Sequence, residues 1–225
     1  MTVPSQSSRL PARAEVRRGC WIDSRLALWL EPERLLVLAD LHWGYAASHR
    51  ARGNLLPAWG DEQIAERIRT LVADYQPSEM IWLGDIVHAV EGAAAVEAFL
   101  ADAPVPTTLL AGNHDRRWSG ASARTLQRGN YFFHHGDQSV PVPAGCIEVV
   151  GHHHPAVGWW DGAGGRLKLP ALVAREDRLV LPAFSPWAAG TAWPEATSER
   201  DRLWAIAPNR IFALAQRAAA SAAAP

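Results

Sequence analysis

A chain of 225 residues, of which 48% are hydrophobic and 20% charged, has the composition of a folded globular protein, and we predict a single domain over residues 1–225. The formal net charge of −1 excludes a strongly basic nucleic-acid binder, so any positive surface has to be local. Cys20 and Cys146 form no Cys-x-x-Cys pair, which excludes a disulfide scaffold and a zinc–thiolate site and favours a reducing cytoplasm.

The ends of the chain show no targeting or membrane signal. Residues 1–11 are polar and Ser-rich and lack the apolar centre of a signal peptide. No run approaches the ~20 apolar residues that a membrane span needs. We therefore expect a cytoplasmic protein without membrane contact, with flexible ends at residues 1–15 and at the Ala-rich residues 217–225.

Short apolar runs in the first half of the chain predict buried strands, each followed at once by an aspartate or a glycine: Leu35–Ala39, Met80–Leu83 and Thr107–Ala111. Between the first two strands, apolar residues at helical spacing predict a helix over Asp61–Tyr75, with Asp61 as its N-cap. A shorter helix is predicted over Ala93–Leu100. This β-α-β-α-β order indicates an α/β fold whose ligands gather at the carboxyl ends of the strands.

After residue 130 the pattern changes to short strands separated by Gly, Pro or charged turns. The predicted strands are Tyr131–His135, Ile147–Val150, Leu167–Val173 and Leu179–Leu181, followed by a hairpin of Leu203–Ile206 with Arg210–Leu214. The chain also contains eleven tryptophans, an unusually large number. They could form an exposed surface on which bases stack, but large aromatics more often pack a core, and core packing is our prediction.

Five short blocks rich in His and Asp each follow an apolar run and introduce a glycine or a polar loop. They are Asp40-Leu41-His42, Gly84-Asp85, Gly112-Asn113-His114-Asp115, His134-His135-Gly136 and Gly151-His152-His153-His154-Pro155. Hydrophobic packing gives no reason to place so many polar groups at strand ends. The blocks therefore predict a metal site that faces one cleft.

Seven side chains of these blocks are candidate metal ligands: Asp40, His42, Asp85, Asn113, His135, His152 and His154. Asp40 and His42 lie two residues apart, so an extended chain places both on the same side. The carboxylate of Asp85 can bridge two cations and offset their mutual repulsion. This mixture of nitrogen and oxygen donors without sulfur suits two divalent ions, with Mn²⁺ as the prediction and Fe, Zn or Mg²⁺ as alternatives.

Strand alternation sorts the adjacent histidines. Of His134 and His135 we choose His135 as the ligand, because the glycine after it marks the strand end. His152 and His154 share one face of the chain, whereas the residue between them points away. A structural role is predicted for the other histidines, His49, His134 and His153. For His88 two roles stay open, lining the cleft or capping a turn.

The order of the blocks, Asp-x-His, Gly-Asp, Gly-Asn-His-Asp, His-Gly and Gly-His-x-His, resembles the calcineurin-like metallophosphoesterase superfamily. Further stretches are similar to a bacterial subgroup, the ligase-associated DNA-damage-response endonucleases: Ala39–Gly44, Gly53–Pro57, Lys168–Pro170 and Leu181–Phe184. The resemblance implies a four-layer α-β-β-α sandwich with two mixed β-sheets and the active site at the strand carboxyl ends. It also implies DNA as the substrate, with a DNA ligase and a helicase as partners.

The same resemblance implies a role for each residue. One metal would be held by Asp40, His42, Asp85 and His154, and the second by Asp85, Asn113, His135 and His152. His114 would stabilise the scissile phosphate and donate a proton, and Asp115 would orient it. Two ions about 3.5–4 Å apart can activate a water and clamp a phosphodiester, so we predict direct hydrolysis without a phosphoenzyme.

Arginines near the blocks are candidates for contact with a phosphate backbone. Arg116 and Arg117 directly follow the third block, Arg124 and Arg128 come soon after, and Arg50 and Arg52 precede Gly53. Ordinary charge on a solvated loop is the alternative for each of them.

The residues thus predict a dinuclear-metal phosphodiesterase, and the subgroup resemblance implies a DNA endonuclease in DNA repair. A phosphatase, a pyrophosphatase or a cyclic-nucleotide phosphodiesterase with the same metal centre is the alternative enzyme. A non-catalytic scaffold on the same fold is the third hypothesis. It predicts lost ligands, and this chain retains all seven together with His114.

Overall fold

The computed structural model describes residues 12–121, 123–160, 163–193 and 201–214. Residues 1–11 and the predicted flexible segment 217–225 lie outside these ranges. The first strand begins at Arg13, so the sheet takes up residues 13–15 of the segment that the sequence assigned to a flexible end. Among the described residues, no helix is long and apolar enough to cross a membrane.

The first sheet has six strands in chain order: β1 (Arg13–Arg17), β2 (Cys20–Asp23), β3 (Leu28–Leu30), β4 (Leu35–Leu38), β5 (Glu79–Leu83) and β6 (Thr107–Leu110). The first four strands form an antiparallel meander. The steps from β4 to β5 and from β5 to β6 are parallel. Helical crossovers connect these parallel strands, through α1 (Tyr45–Ala51), α2 (Gly60–Tyr75) and α3 (Ala93–Ala101).

The predicted strands and helices of this half are all present, but the predicted N-cap of α2 is wrong. Helix α2 begins at Gly60 after Trp59, whose side chain makes no capping hydrogen bond, and at its other end the backbone N–H of Gln76 donates to the carbonyl of Val72. Asp61 lies inside the first turn, where its carboxylate accepts a hydrogen bond from the backbone N–H of Gly44 at 3.0 Å. This bond ties the loop after β4 to the start of α2.

The second sheet is mixed and has nine strands among the described residues: β7 (Thr125–Arg128), β8 (Tyr131–His134), β9 (Ile147–Val150), β10 (Pro155–Trp160), β11 (Arg166–Ala174), β12 (Arg178–Val180), β13 (Thr191–Ala192), β14 (Arg202–Ala207) and β15 (Arg210–Leu214). Their central order is β13-β10-β11-β12-β9-β8-β7, and β14 pairs with β11 and β15. The parallel pairs are β8 with β9, β9 with β12 and β10 with β13.

The core has two layers, and alternate residues of the central strands serve different layers. Leu35 and Val37 pack between the two sheets, in a cluster that includes Phe133 of the second sheet. Leu36 and Leu38 point the other way, into a cluster formed with the buried face of α2. A strand that is buried on both faces needs apolar residues at every position, which accounts for the unbroken apolar run.

The predicted α/β sandwich with two mixed sheets is confirmed. Within the described residues every α-helix precedes Asp102, so helices flank the sandwich less evenly than the four-layer prediction implied. The predicted core role is confirmed for a group of buried tryptophans, Trp29, Trp43, Trp82, Trp118 and Trp204. Trp59 differs, because 49% of it is exposed.

Candidate metal centre

The five His- and Asp-rich blocks all lie at the carboxyl ends of parallel strands. Those of the first sheet follow β4, β5 and β6, and those of the second follow β8 and β9. The two edges face each other, and the structure therefore brings the seven predicted ligands into one cleft. They are Asp40, His42, Asp85, Asn113, His135, His152 and His154.

Backbone hydrogen bonds hold these loops in register. The N–H of His42 donates to the carbonyl of Asp85 at 2.9 Å, which joins the loops after β4 and β5. In the second sheet the N–H of Gly151 donates to the carbonyl of His135 at 3.0 Å. The two sheets meet where the N–H of His152 donates to both carboxylate oxygens of Asp40, at 3.1 and 3.0 Å.

The backbone of most of these residues is in the left-handed region, where non-glycine residues are uncommon. The positive φ angles are 56° at Asp40, 50° at His42, 46° at Asp85, 64° at His152 and 45° at His154. Each such residue costs on the order of 1–3 kcal/mol and persists only where the surrounding structure imposes it. The concentration of strained residues in one cleft marks this cleft as a functional site.

The first donor group contains Asp40, His42, Asp85 and His154. One ligand atom from each lies within 4.8 Å of the ligand atoms of the others. The Nε2 atom of His154 is 3.2 Å from Oδ1 of Asp40, and the Nε2 atom of His42 is 3.9 Å from Oδ2 of Asp85. These are the four residues that the family resemblance assigned to one metal.

The second donor group converges on His135. Its Nδ1–H donates to the carbonyl of Leu83 at 2.8 Å, which directs Nε2 into the cleft. Around Nε2 lie Oδ1 of Asp85 at 3.3 Å, Oδ1 of Asn113 at 3.1 Å and Nδ1 of His152 at 3.2 Å. These four residues are the set that the family resemblance assigned to the second metal.

Asp85 belongs to both groups and connects them. Its Oδ2 atom faces His42 of the first group, and its Oδ1 atom faces His135 of the second. Oδ1 also accepts the backbone N–H of His114 at 2.9 Å. A buried carboxylate with one oxygen toward each donor group has the arrangement of a bridging ligand.

The contact between Asp85 and His135 sets the charge of the cleft. Burial alone would lower the pKa of His135, but the Asp85 carboxylate outweighs burial and raises that pKa to about 9. Burial would likewise raise the pKa of Asp85, yet the contact with His135 holds it well below its usual range. Burial lowers the pKa of His42 to about 4, so this ring is neutral and able to coordinate a cation near pH 7.

The donors fit divalent cations. Nε2 of His154 is buried and has no hydrogen-bond partner within the described part of the chain, although a carboxylate oxygen of Asp40 lies 3.2 Å away. The facing ring nitrogens of His135 and His152, 3.2 Å apart, are a second pair of atoms that a cation would satisfy together. The two donor groups combine imidazole nitrogens with carboxylate and amide oxygens and include no thiolate. This combination suits Mn, Fe and Zn ions.

Two glycines allow the loops to approach this closely. A Cβ atom on Gly112 would lie 2.3 Å from both the backbone nitrogen and Oδ1 of Asp85. A Cβ on Gly84, whose φ is +72°, would lie 2.6 Å from the ring of His135. Any side chain at these positions would displace a residue of the second donor group.

His114 lies at the exposed rim of the cleft beside a histidine that the sequence left open. Its Nδ1–H donates to the backbone carbonyl of His88 at 3.2 Å, and the two rings stack with centroids 5.1 Å apart. The ring of His88 also lies edge-on to His42, at 5.5 Å. Burial, together with the charges of His114, His49 and Arg52, lowers the pKa of His88 to about 4. His88 therefore lines the cleft.

The prediction that Asp115 orients His114 is corrected by its contacts. The buried carboxylate of Asp115 accepts the backbone N–H groups of Val87 at 3.0 Å and Gly112 at 2.8 Å. The ring of His114 is instead oriented by the His88 carbonyl. Asp115 thus joins the loop after β5 to the loop after β6, because a carboxylate can satisfy two buried N–H donors at once.

The candidate arginines separate into two kinds. Arg116 and Arg117 are exposed in a short 3₁₀ turn directly after His114, where contact with a phosphate backbone stays a prediction. Arg128 instead pairs with Glu79, with N–O distances of 3.0 and 3.1 Å. Glu79 begins β5, so this ion pair lies at the end of the strand that is opposite to the cleft. The phosphate-contact hypothesis is therefore wrong for Arg128.

The histidines predicted to be structural belong to neither donor group. His134 bonds to Glu148 at 2.7 Å, and His153 lies 3.4 Å from a guanidinium nitrogen of Arg178. His49 stacks on Tyr45 with ring centroids 4.5 Å apart.

Two mixed sheets that bring two donor groups with a shared aspartate to one cleft define the class of dinuclear metal-dependent phosphoesterases. Residues 33–200 match the family model described as calcineurin-like phosphoesterase, and the chain belongs to this family. The family resemblance inferred from the five blocks is thereby confirmed.

Among solved structures, the chain is similar to the Pseudomonas putida nuclease MPE, with a TM-score of 0.71 and 26% sequence identity. The alignment covers 91% of this chain and 100% of that chain. Among proteins with curated descriptions, none matches.

Proposed function

We propose that this phosphoesterase is a metal-dependent phosphodiesterase that cuts DNA as an endonuclease. The proposal of phosphodiester hydrolysis rests on one observation, the position of Asp85 between two complete donor groups. The similarity to a solved nuclease over nearly the whole chain supports a nucleic-acid substrate. The subgroup resemblance around the blocks supports a place in DNA repair, with a DNA ligase and a helicase as partners.

The two donor groups would each hold one divalent cation, for which we propose Mn²⁺. Such a pair lowers the pKa of a water and neutralises charge on the phosphate when it is bound. The residues of this chain determine where that chemistry takes place. Asp85 fixes the separation of the two groups, and His135 is held in one ring orientation by the carbonyl of Leu83.

His114 is the residue placed to act on the leaving group. Its backbone is bonded to the Asp85 carboxylate, and its Nδ1–H is occupied by the carbonyl of His88. Nε2 is thus the ring atom left for the substrate. In the protonated ring Nε2–H can donate to a phosphate oxygen and transfer its proton to the departing oxygen, a step worth typically ~100- to 10,000-fold in rate.

The low cysteine content supports a cytoplasmic location for this reaction. The test of the function is a substrate panel with Mn²⁺, Mg²⁺ and Zn²⁺, comparing closed-circular DNA, cyclic nucleotides and a generic aryl phosphodiester. Nicking of the circular DNA by the native chain and not by Asp85→Ala is the expected result. Hydrolysis of the small substrates with intact circular DNA would reject the endonuclease and keep the metal centre.

A further inference from the structure

A row of aromatic rings leads from the rim of the metal centre toward solvent. We call it the aromatic row and define it by His114, His88, Tyr45, Trp187 and Trp59. Successive ring centroids are 5.1 Å apart for His114 and His88, 4.5 Å for His88 and Tyr45, 5.8 Å for Tyr45 and Trp187, and 4.8 Å for Trp187 and Trp59. The last two steps are close to parallel, with interplanar angles of 12° and 24°.

The row is held in place from both sides. The indole of Trp187 lies directly on Gly60 at the start of α2, where a Cβ atom would come within 2.1 Å of its Nε1. The backbone N–H of Trp187 donates to the hydroxyl of Ser185, whose own N–H donates to the carbonyl of Asp40. The position of Trp187 is therefore fixed relative to the first donor group.

Hydrophobic core packing does not account for the row. None of its five members belongs to the core clusters found among the described residues. Its outer member, Trp59, is 49% exposed, and Leu55 in the adjoining loop is 94% exposed. Large aromatic faces that remain accessible beside a polar site mark a binding surface.

Positive charge accompanies the row. Arg50 and Arg52 are exposed at the end of α1, the helix that carries Tyr45. The guanidinium of Arg50 donates to the carbonyl of Leu56, next to Leu55. Flat rings beside exposed guanidinium groups match a chain that alternates bases with phosphates.

We propose that the aromatic row is a nucleobase-stacking subsite, which receives unpaired bases of the strand whose phosphate lies at the metal centre. This inference rests on the proposed nuclease function and specifies how the substrate is held. A base stacks on the exposed side of Trp59, which the neighbouring rings support from behind, while Arg50 and Arg52 contact the flanking phosphates. Each base–aromatic stack contributes about 5- to 150-fold in affinity, and the contribution depends little on base identity.

The test compares two fluorescein-labelled strands of equal length and charge, a thymidine 12-mer and the same strand built from abasic units. Their binding is measured by anisotropy with Mn²⁺ present, at low temperature and within the time in which gel electrophoresis of the same samples shows both strands intact. We expect the native chain to bind the thymidine strand at least ~5-fold more tightly than the abasic strand. Trp59→Ala should lose most of this preference and leave abasic binding unchanged, and Trp59→Phe should retain part of it.

Further variants exclude a general structural effect. Trp59 precedes α2 without a side-chain cap bond, so Trp59→Ala leaves helix capping unaffected. Gly60→Ala would displace Trp187 without removing any ring and should cause the same selective loss. Leu167→Ala, at an apolar residue of β11 that is 60% exposed, is the matched control and should bind both strands like the native chain.

Two results would overturn the stacking subsite: equal affinity of the native chain for both strands, or an equal loss for both strands in Trp59→Ala. Hydrolysis of an aryl phosphodiester with Mn²⁺ is measured in parallel. This assay distinguishes failure of the stacking subsite from failure of the proposed nuclease function. A native chain that nicks DNA but binds both strands alike has no stacking subsite and is still a nuclease. A chain that prefers the thymidine strand but hydrolyses neither substrate keeps the subsite and loses the proposed activity.

Discussion

The backbone N–H of His152 donates to both carboxylate oxygens of Asp40 across the interface of the two sheets, at 3.1 and 3.0 Å. Asp40 follows β4 of the first sheet and His152 follows β9 of the second. Gly151 makes this approach possible, because a Cβ atom there would lie 2.6 Å from Oδ2 of Asp40. The bond therefore fixes the spacing of the two donor groups through the packing of the sandwich itself.

Because Asp85 faces both donor groups, Asp85→Asn is expected to weaken both metal sites. Bound Mn²⁺, measured by elemental analysis after desalting, should fall from two ions per chain in the native protein to less than one. Turnover should fall at least ~1000-fold, since a catalytic metal contributes several kcal/mol and each 1.36 kcal/mol is a factor of ten. Asp102→Asn, at an exposed residue after α3, is the control and should keep both ions. A full metal complement in Asp85→Asn would contradict the bridging role.

Gly112→Ala tests whether close packing positions Asp85. The new methyl group would lie 2.3 Å from the backbone nitrogen and the carboxylate of Asp85, so the second donor group has to shift. We expect weaker Mn²⁺ binding in calorimetry and a free energy of unfolding reduced by about 1–3 kcal/mol, as overpacking generally costs. Gly158→Ala, where a Cβ meets no atom within 4 Å, should change neither quantity. Equal metal affinity in the two variants would show that the loop adapts without cost.

The metal ligands could be predicted from the sequence because their positions depend on local order. Each follows a short apolar run, and parallel strands bring their carboxyl ends to one edge, so strand prediction already places Asp40, Asp85 and Asn113 together. The choice of His135 over His134 also followed from strand alternation, and the structure places His134 against Glu148, apart from the cleft. The ligand roles themselves stay a prediction that metal analysis has to test.

Other features depend on contacts between distant segments and could not be predicted. Strands β1 to β3 are only three to five residues long, and β1 and β2 contain charged residues, so their pairing partners define them more than their own composition does. The stack of Trp59 on Trp187 joins two loops that no periodicity connects. The family resemblance implied that Asp115 orients His114, whereas the fold gives its carboxylate two backbone N–H groups.

The contacts of Asp115 predict a structural role that stability measurements distinguish from a catalytic one. In Asp115→Asn one of the two buried N–H groups, of Val87 or Gly112, would face an amide N–H in place of an oxygen. The free energy of unfolding should fall by about 1–3 kcal/mol, as expected for a buried unsatisfied donor. The shape of the pH–rate profile should not change.

His114→Gln should have the opposite effect to Asp115→Asn, lowering activity and leaving stability unchanged. This ring is exposed, so the free energy of unfolding from chemical denaturation should lie within ~0.5 kcal/mol of the native value. Turnover should fall by at least ~100-fold, because a general acid is lost. If Asp115→Asn instead changed the pH–rate profile and left stability unchanged, Asp115 would have to act through His114.

The raised pKa of His135 predicts that metal binding releases a proton and strengthens as the pH rises. In the metal-free protein the contact with Asp85 raises that pKa to about 9, above the ~6.5 of an unfolded histidine. The ion pair therefore stabilises the metal-free fold fully below about pH 6.5, and this stabilisation is lost as the pH rises through 9. A cation needs the deprotonated ring, so below pH 9 it has to displace the proton.

The gain in Tm on adding saturating Mn²⁺ should consequently increase from pH 6.5 to pH 8.5. Calorimetric titrations in buffers of different ionisation enthalpy should show close to one proton released per chain at pH 7.5 from this histidine. His134 serves as the comparison, since His134→Gln removes a ring bonded to Glu148 outside both donor groups and should leave the proton release unchanged. A gain in Tm that is constant over this range, with no proton released, would mean that His135 is not a ligand.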